Sequence, residues 1–135
     1  MNTLFEVSDL IHAYSRAQAI ADGVLVDVTT TAREAGFSVP VALTRAVWAD
    51  CVEWTEETDR RKATHQDESG RLWDVVWMAN RAARRAAGAR CCVFEVLRVP
   101  REGRGNRPRS AVLAMRISAG DAGEPVITIG LPNED

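Results

Sequence analysis

Lysine, histidine, tyrosine and cysteine are all scarce in this chain. Lys62 is the only lysine among 17 cationic residues, and there are two histidines (His12 and His65), one tyrosine and three cysteines. Two histidines leave little scope for acid–base chemistry, and neither stands in the CxxC or HxxxH spacing that marks a zinc site, so no metal is expected. Cys51, Cys91 and Cys92 cannot all pair within one chain. Neighbours such as Cys91 and Cys92 point to opposite faces of a strand, which excludes a disulfide framework as the organising device. No run approaches the roughly 18–20 apolar residues of a membrane span, and no basic-then-apolar stretch opens the chain as a secretory signal would. The expectation is a cytosolic protein without membrane contact. Neither GxxxxGK[ST] nor GxGxxG occurs, so the glycine-rich stretch near Asn106 is not a phosphate loop.

What is present is one domain's worth of globular chain. At 135 residues with 46% hydrophobic and 27% charged residues, the composition excludes wholesale disorder. About two-thirds of the unfolded surface can be buried at this size. The net charge of −2 conceals an asymmetry. Eight acids lie between Asp50 and Asp74, and nine arginines between Arg81 and Arg109 against only Glu95 and Glu102. Two solvated surfaces of opposite sign explain this pattern; so does a basic stripe that meets a phosphate backbone or an acidic partner. The small net charge excludes a DNA mimic.

Ser15 and Gln18 have the spacing of a capping box, and Gly23 offers the left-handed stop of a short helix. Val24–Val28 reads as a strand. Thr31 with Glu34 repeats the capping signature before Gly36. A longer helix is expected from about Pro40 to Glu57, with Leu43, Val47, Cys51 and Trp54 on one stripe. Cys51 on that stripe reads as a buried thiol rather than a nucleophile. Thr58–Gly70 lacks periodicity and reads as a long loop, a length that suits a functional segment. Arg71–Ala87 is the clearest helix: Leu72, Val75, Val76, Ala79, Ala83 and Ala86 form one apolar face. Gly88 closes it, and Ser69 can cap its start. Trp73 and Trp77 lie beside that face, either at the core edge or awaiting a partner. Cys91–Val99 reads as a strand with apolar residues on both faces, hence central. Ala111–Ile117 and Val126–Leu131 follow as strands, giving a C-terminal antiparallel meander. The whole reads as a single α+β domain over residues 1–135, helices packed on a small, mainly antiparallel sheet.

Two segments concentrate polar chemistry. Thr64–Asp74 gathers an imidazole, carboxylates, a guanidinium and an indole where a loop feeds a helix; Asp67 and Glu68 also suit the positive end of that helix. Arg101, Arg104, Arg107 and Arg109 stud a glycine-rich loop able to clamp an anionic surface. Asp67, Glu68, Arg71 and Asp74, together with those four arginines, are the candidate partner-binding residues. Nucleic acid is the other anion the arginine loop could meet.

Two resemblances bear on function. Ile11–Gly23, with His12 three residues before Ser15 and a short helix running to Gly23 ahead of a strand, resembles the first motif of ADP-ribosyltransferases. That likeness implies an NAD-using enzyme in which His12 holds the nicotinamide ribose. The second motif of that family, Ser-Thr-Ser-like, is not evident, and Glu95 and Glu124 are the candidates for its glutamate. The segments Ser15–Val28, Val39–Trp48, Thr64–Met78 and Gly123–Ile129 together resemble a family of small bacterial proteins without assigned function, carried on plasmids, integrative elements and phages. This second resemblance implies a mobile-element accessory protein, often neighbouring anti-restriction genes, with no catalytic residues to carry over. The function expected from it is non-enzymatic inhibition of a host defence complex, of the anti-CRISPR or anti-restriction type, without a cofactor, in the bacterial cytoplasm.

Overall fold

The computed structural model describes residues 14–134. Helix α1 (Arg16–Ala21) opens them, and the Ser15 hydroxyl accepts from the Gln18 amide as the capping signature requires. Strand β1 (Leu25–Asp27) follows. Helix α2 (Thr29–Ala35) starts three residues earlier than the Thr31 signature suggested, because Asp27 accepts from both the amide and the hydroxyl of Thr29. It stops at Gly36, whose φ of 117° lies in the left-handed region.

The expected helix over 40–57 is a strand followed by a short, irregular helix. Val41–Thr44 is β2, and Arg45–Val47 (α3) widens into a π-helical stretch, Trp48–Val52. A fully apolar run buried on both faces has no period that separates strand from helix, and Val41, Ala42 and Leu43 are all buried. The expected loop over 58–70 is also corrected. Helix α4 (Glu56–Lys62) occupies its first part, held by a reciprocal Thr55–Thr58 capping box. Helix α5 (Glu68–Arg85) begins before its end. Asp67 is the N-cap of α5 in place of Ser69, its carboxylate accepting from the Gly70 amide at 2.6 Å.

Strands β3 (Cys91–Arg98), β4 (Arg109–Ala119) and β5 (Pro125–Gly130) form the expected antiparallel meander. Among the described residues the sheet order is β1-β2-β5-β4-β3, with β2–β5 its one parallel pair. The molecule is a single α+β domain with a mostly antiparallel open sheet, and its central strand is β5. Strand β3 is at the edge, not the centre. Its apolar residues alternate: Phe94 and Val96 are buried beneath α5, whereas Val93 and Leu97 face outward. The core lies between the sheet and helices α2 and α5, built on Leu43, Val47, Val75, Val76, Leu113 and Ile129.

On the opposite face, α1 packs against β1 and reaches β5 through Arg16. The Arg16 guanidinium donates to the Thr128 hydroxyl and the Ile127 carbonyl, both at 2.7 Å. The Asp121 carboxylate accepts from the Arg16 and Ala17 amides, and those bonds hold its pKa below the usual carboxylate range. Beside this covered half, Val93 and Leu97 of β3 and Val112 of β4 lie exposed on the same face.

Candidate functional site

The structure divides the candidate residues into those spent inside the fold and those left at the surface. Arg71 is buried. Its Nε donates to the Val52 carbonyl (3.0 Å), and its terminal nitrogens donate to Val99 O (2.9 Å), Asp50 O (3.3 Å) and Gln66 Oε1 (2.6 Å). Its guanidinium carbon lies 4.6 Å from the Trp54 ring centre. A planar donor fork suits several divergent carbonyls in a way that an ammonium does not. Arg71 thus ties α5 to the π-helical stretch and to the chain after β3.

Asp67 caps α5. Glu68 accepts from the Trp54 amide at 3.1 Å and so turns back into the same cluster. Asp59, from the segment expected as loop, accepts from the Trp54 indole, from the Gln66 amide at 3.1 Å and from His65 Nδ1 at 3.0 Å. These donors, the indole first, hold its carboxyl below the usual range. His65 is thereby part of a surface network around Asp59.

The arginine loop is pinned rather than loose. Its carbonyls at Arg101, Glu102, Gly103 and Gly105 accept from Arg61 and Lys62 of α4, while Asn106 donates to the Lys62 carbonyl at 3.3 Å. Arg101 turns inward, with an ion pair to Glu53 at 3.2 Å and a bond to Ala49 O at 3.0 Å. Arg98 pairs with Asp50 at 3.1 Å. Arg104, Arg107 and Arg109 remain exposed and belong to no ion pair among the described residues.

Cys51 is buried, and loss of water together with the neighbouring Asp50 carboxylate pushes its thiol pKa up to about 12. A thiol so far above neutrality is not a nucleophile. All three cysteines are free. His12 lies outside the described residues. Glu95 is exposed on β3, and Glu124 lies in the β4–β5 turn, where it accepts from the Ala122 amide at 3.3 Å.

A further surface lies open that the sequence touched only at Asp74, Glu95 and the Trp73–Trp77 pair. Helix α5 crosses the sheet near the β3 edge, and a groove runs between the helix flank and that strand. One hollow of about 490 Å³ is lined by Asp74, Trp77, Met78, Glu95, Leu97 and Ser110. A second, of about 440 Å³, continues along Met78, Ala82, Arg85, Val93 and Glu95. Trp77 is 42% exposed and stacks on Trp73 at 5.6 Å between ring centres. Val93 (60%), Leu97 (66%) and Val112 (46%) continue the apolar surface onto the outer face of the sheet. Of the candidate partner-binding residues, Asp74 alone lines the groove. Partial burial pushes its carboxyl pKa up, with Arg71 opposing. The signal that could have found this surface is the period-2 alternation within Cys91–Arg98, which marks a strand exposed on one face.

No helix among the described residues is long and apolar enough to cross a membrane. No curated protein and no solved structure matches the chain. A family model described as a family of unknown function, DUF6573, matches residues 1–135. The chain is therefore a member of the DUF6573 family of unknown function.

Proposed function

We propose that this protein is a non-enzymatic binding module whose docking surface is the groove between α5 and β3. The observation that carries this reading is the edge strand itself: β3 borders two adjoining hollows and presents Val93 and Leu97 on a domain whose other large apolar residues are mostly packed away. Contiguous exposed apolar surface beside an open strand edge is the usual mark of an interaction site. The resemblance to accessory proteins of plasmids, integrative elements and phages supports a more specific form. In that form the partner is a subunit of a host defence complex in the bacterial cytoplasm, blunted by occupation of its surface.

The test is protection of a targeted plasmid in a host with an active restriction or CRISPR system. Wild-type protein is expected to raise transformation efficiency, and a Trp77→Ala, Leu97→Arg double variant to abolish the gain while remaining folded. Protection that survives the groove variant but disappears on reversing Arg104, Arg107 and Arg109 to glutamate would move the surface to the arginine loop. Absence of protection against every system tried would refute the anti-defence reading. A second reading, nucleic-acid binding, is favoured by the exposure of those three arginines. It predicts an affinity for duplex DNA that falls steeply with salt.

A further inference from the structure

The β3 edge is chemically specific in three respects. First, its free hydrogen-bonding groups can be assigned. The Ile117 amide donates to the Arg90 carbonyl at 2.8 Å, which makes residues 90 and 117 a bonded pair. Bonded and non-bonded pairs alternate along an antiparallel ladder. Residues 92, 94, 96 and 98 therefore bond to β4, and the N–H and C=O groups of Cys91, Val93, Glu95 and Leu97 point to the open edge.

Second, the groove holds unpaired charge. Asp74 borders the larger hollow from α5 beside the exposed indole of Trp77, Glu95 borders it from β3 on the outward side with Val93 and Leu97, and neither has an ion-pair partner among the described residues. A carboxylate on each side of the open edge, one of them beside an aromatic face, favours a cationic side chain with an apolar stem. Third, the opposite end of the groove is basic, with Arg85 lining the second hollow and Arg90 just before β3.

Resting on the docking surface proposed above, we infer that the groove takes an extended segment of another protein as a sixth, antiparallel strand. An arginine or lysine of that segment lies at the open edge against Asp74 and Trp77, with Glu95 on the outward side of the same edge. The segment's alternate side chains would fall into the groove against Trp77 and Met78, and the others would lie beside Val93 and Leu97 on the outer face. An antiparallel segment runs toward the Cys91 end. An acidic residue about 4 positions after the cation, at ~3.4 Å per residue, therefore reaches Arg85 and Arg90.

A second copy of this chain fits less well. Two-fold pairing of β3 centred on Glu95 sets the two carboxylates against each other. Centring on Phe94 or Val96 sets Glu95 against Val93 or Leu97, with no counter-charge in either register.

The experiment is selection of a random dodecapeptide display library on the full-length protein, with the enriched peptides titrated against two variants. Val93→Pro removes one outward N–H while leaving the ladder to β4 intact, and proline is tolerated on an edge strand in that setting. Asp74→Lys with Glu95→Lys reverses the charge of the hollow on two exposed residues; the amide spectra of both variants report that they are folded. The expected result is a consensus of alternating apolar residues around a central cation, with an acid following it. Its affinity should fall about tenfold in Val93→Pro. Selection on the double-lysine variant should exchange the central cation for an acid.

Enriched peptides without a central cation, or peptides bound equally by Val93→Pro, would overturn the inference. So would failure to enrich any peptide. If plasmid protection still depended on Trp77 and Leu97 in that case, the binding-module reading would stand without the strand. A dimer that Val93→Pro dissociates would assign the edge to a second copy. Chemical cross-links from residues 1–13 to β3 would assign it to the chain's own start. Either finding would also overturn it.

Discussion

Replacing Arg71 with alanine should be among the most destabilising single changes in this domain. The side chain is buried and donates to three main-chain carbonyls and to Gln66. A buried acceptor left without a donor costs about 1–3 kcal/mol. Three carbonyls would set the upper end near 9 kcal/mol if none were rescued. Arg71 borders a hollow of about 190 Å³, however, so water can enter and recover part of the loss. The truncation also removes the contact with the Trp54 ring, worth about 0.5–2 kcal/mol. Removing a buried, desolvated cation offsets some of the total. The expected net loss is about 3–5 kcal/mol, a large share of the ~5–15 kcal/mol that holds such a domain together. Arg71→Lys retains the charge but not the planar fork and should recover less than half. Urea unfolding followed by circular dichroism and tryptophan fluorescence measures both variants, with an unchanged m-value confirming that stability alone has moved. A loss below about 1 kcal/mol for Arg71→Ala, or a lysine variant as stable as wild type, would refute the assignment of Arg71 as the tie between α5 and its neighbours.

Gly36→Ala should cost about 1–3 kcal/mol in the same assay, because φ is 117° and the new Cβ would lie 3.0 Å from Asn80 Oδ1; a neutral substitution would contradict that geometry. Asp59 contributes through pH. Its pKa is depressed in the folded state, so its stabilisation is complete above the unfolded carboxylate pKa of about 4 and disappears as pH falls through the folded value. The melting-temperature difference between wild type and Asp59→Asn should therefore be constant near neutrality and close under acid; a difference that is flat down to the acid limit would contradict the assignment. Native protein should show Cys91 reacting fast with a thiol reagent at pH 8 and Cys92 more slowly. Cys51 should stay silent until denaturant is added, and rapid labelling of it in folded protein would exclude the burial described.

Much of the fold is legible in the sequence because the signals are local. Ser15 with Gln18, the stop at Gly36, the apolar face of α5 and the alternating strands near the C-terminus are each set by neighbouring residues. Local propensity and spacing therefore determined the α+β class and the meander. The errors fall where the deciding partner is remote in sequence. Val41–Leu43 becomes a strand because β5 and β1 flank it, and nothing in a short apolar run distinguishes that outcome from a helix. Thr55 and Thr58 mark a helix start plainly, but in a polar segment the missing apolar face hides it.

The candidate site divides in the same way. That Asp67 and Glu68 suit the start of a helix is readable from charge and position. That Arg71 and Arg101 turn inward is not, since the carbonyls they satisfy come from residues 19 to 52 positions away. The strand order was the last thing the sequence withheld. Alternation along Cys91–Arg98 belongs to any half-exposed strand, but only the packed sheet places β3 at the edge beside α5. That placement, a matter of which strands pair at long range, makes a groove of residues that otherwise read as core.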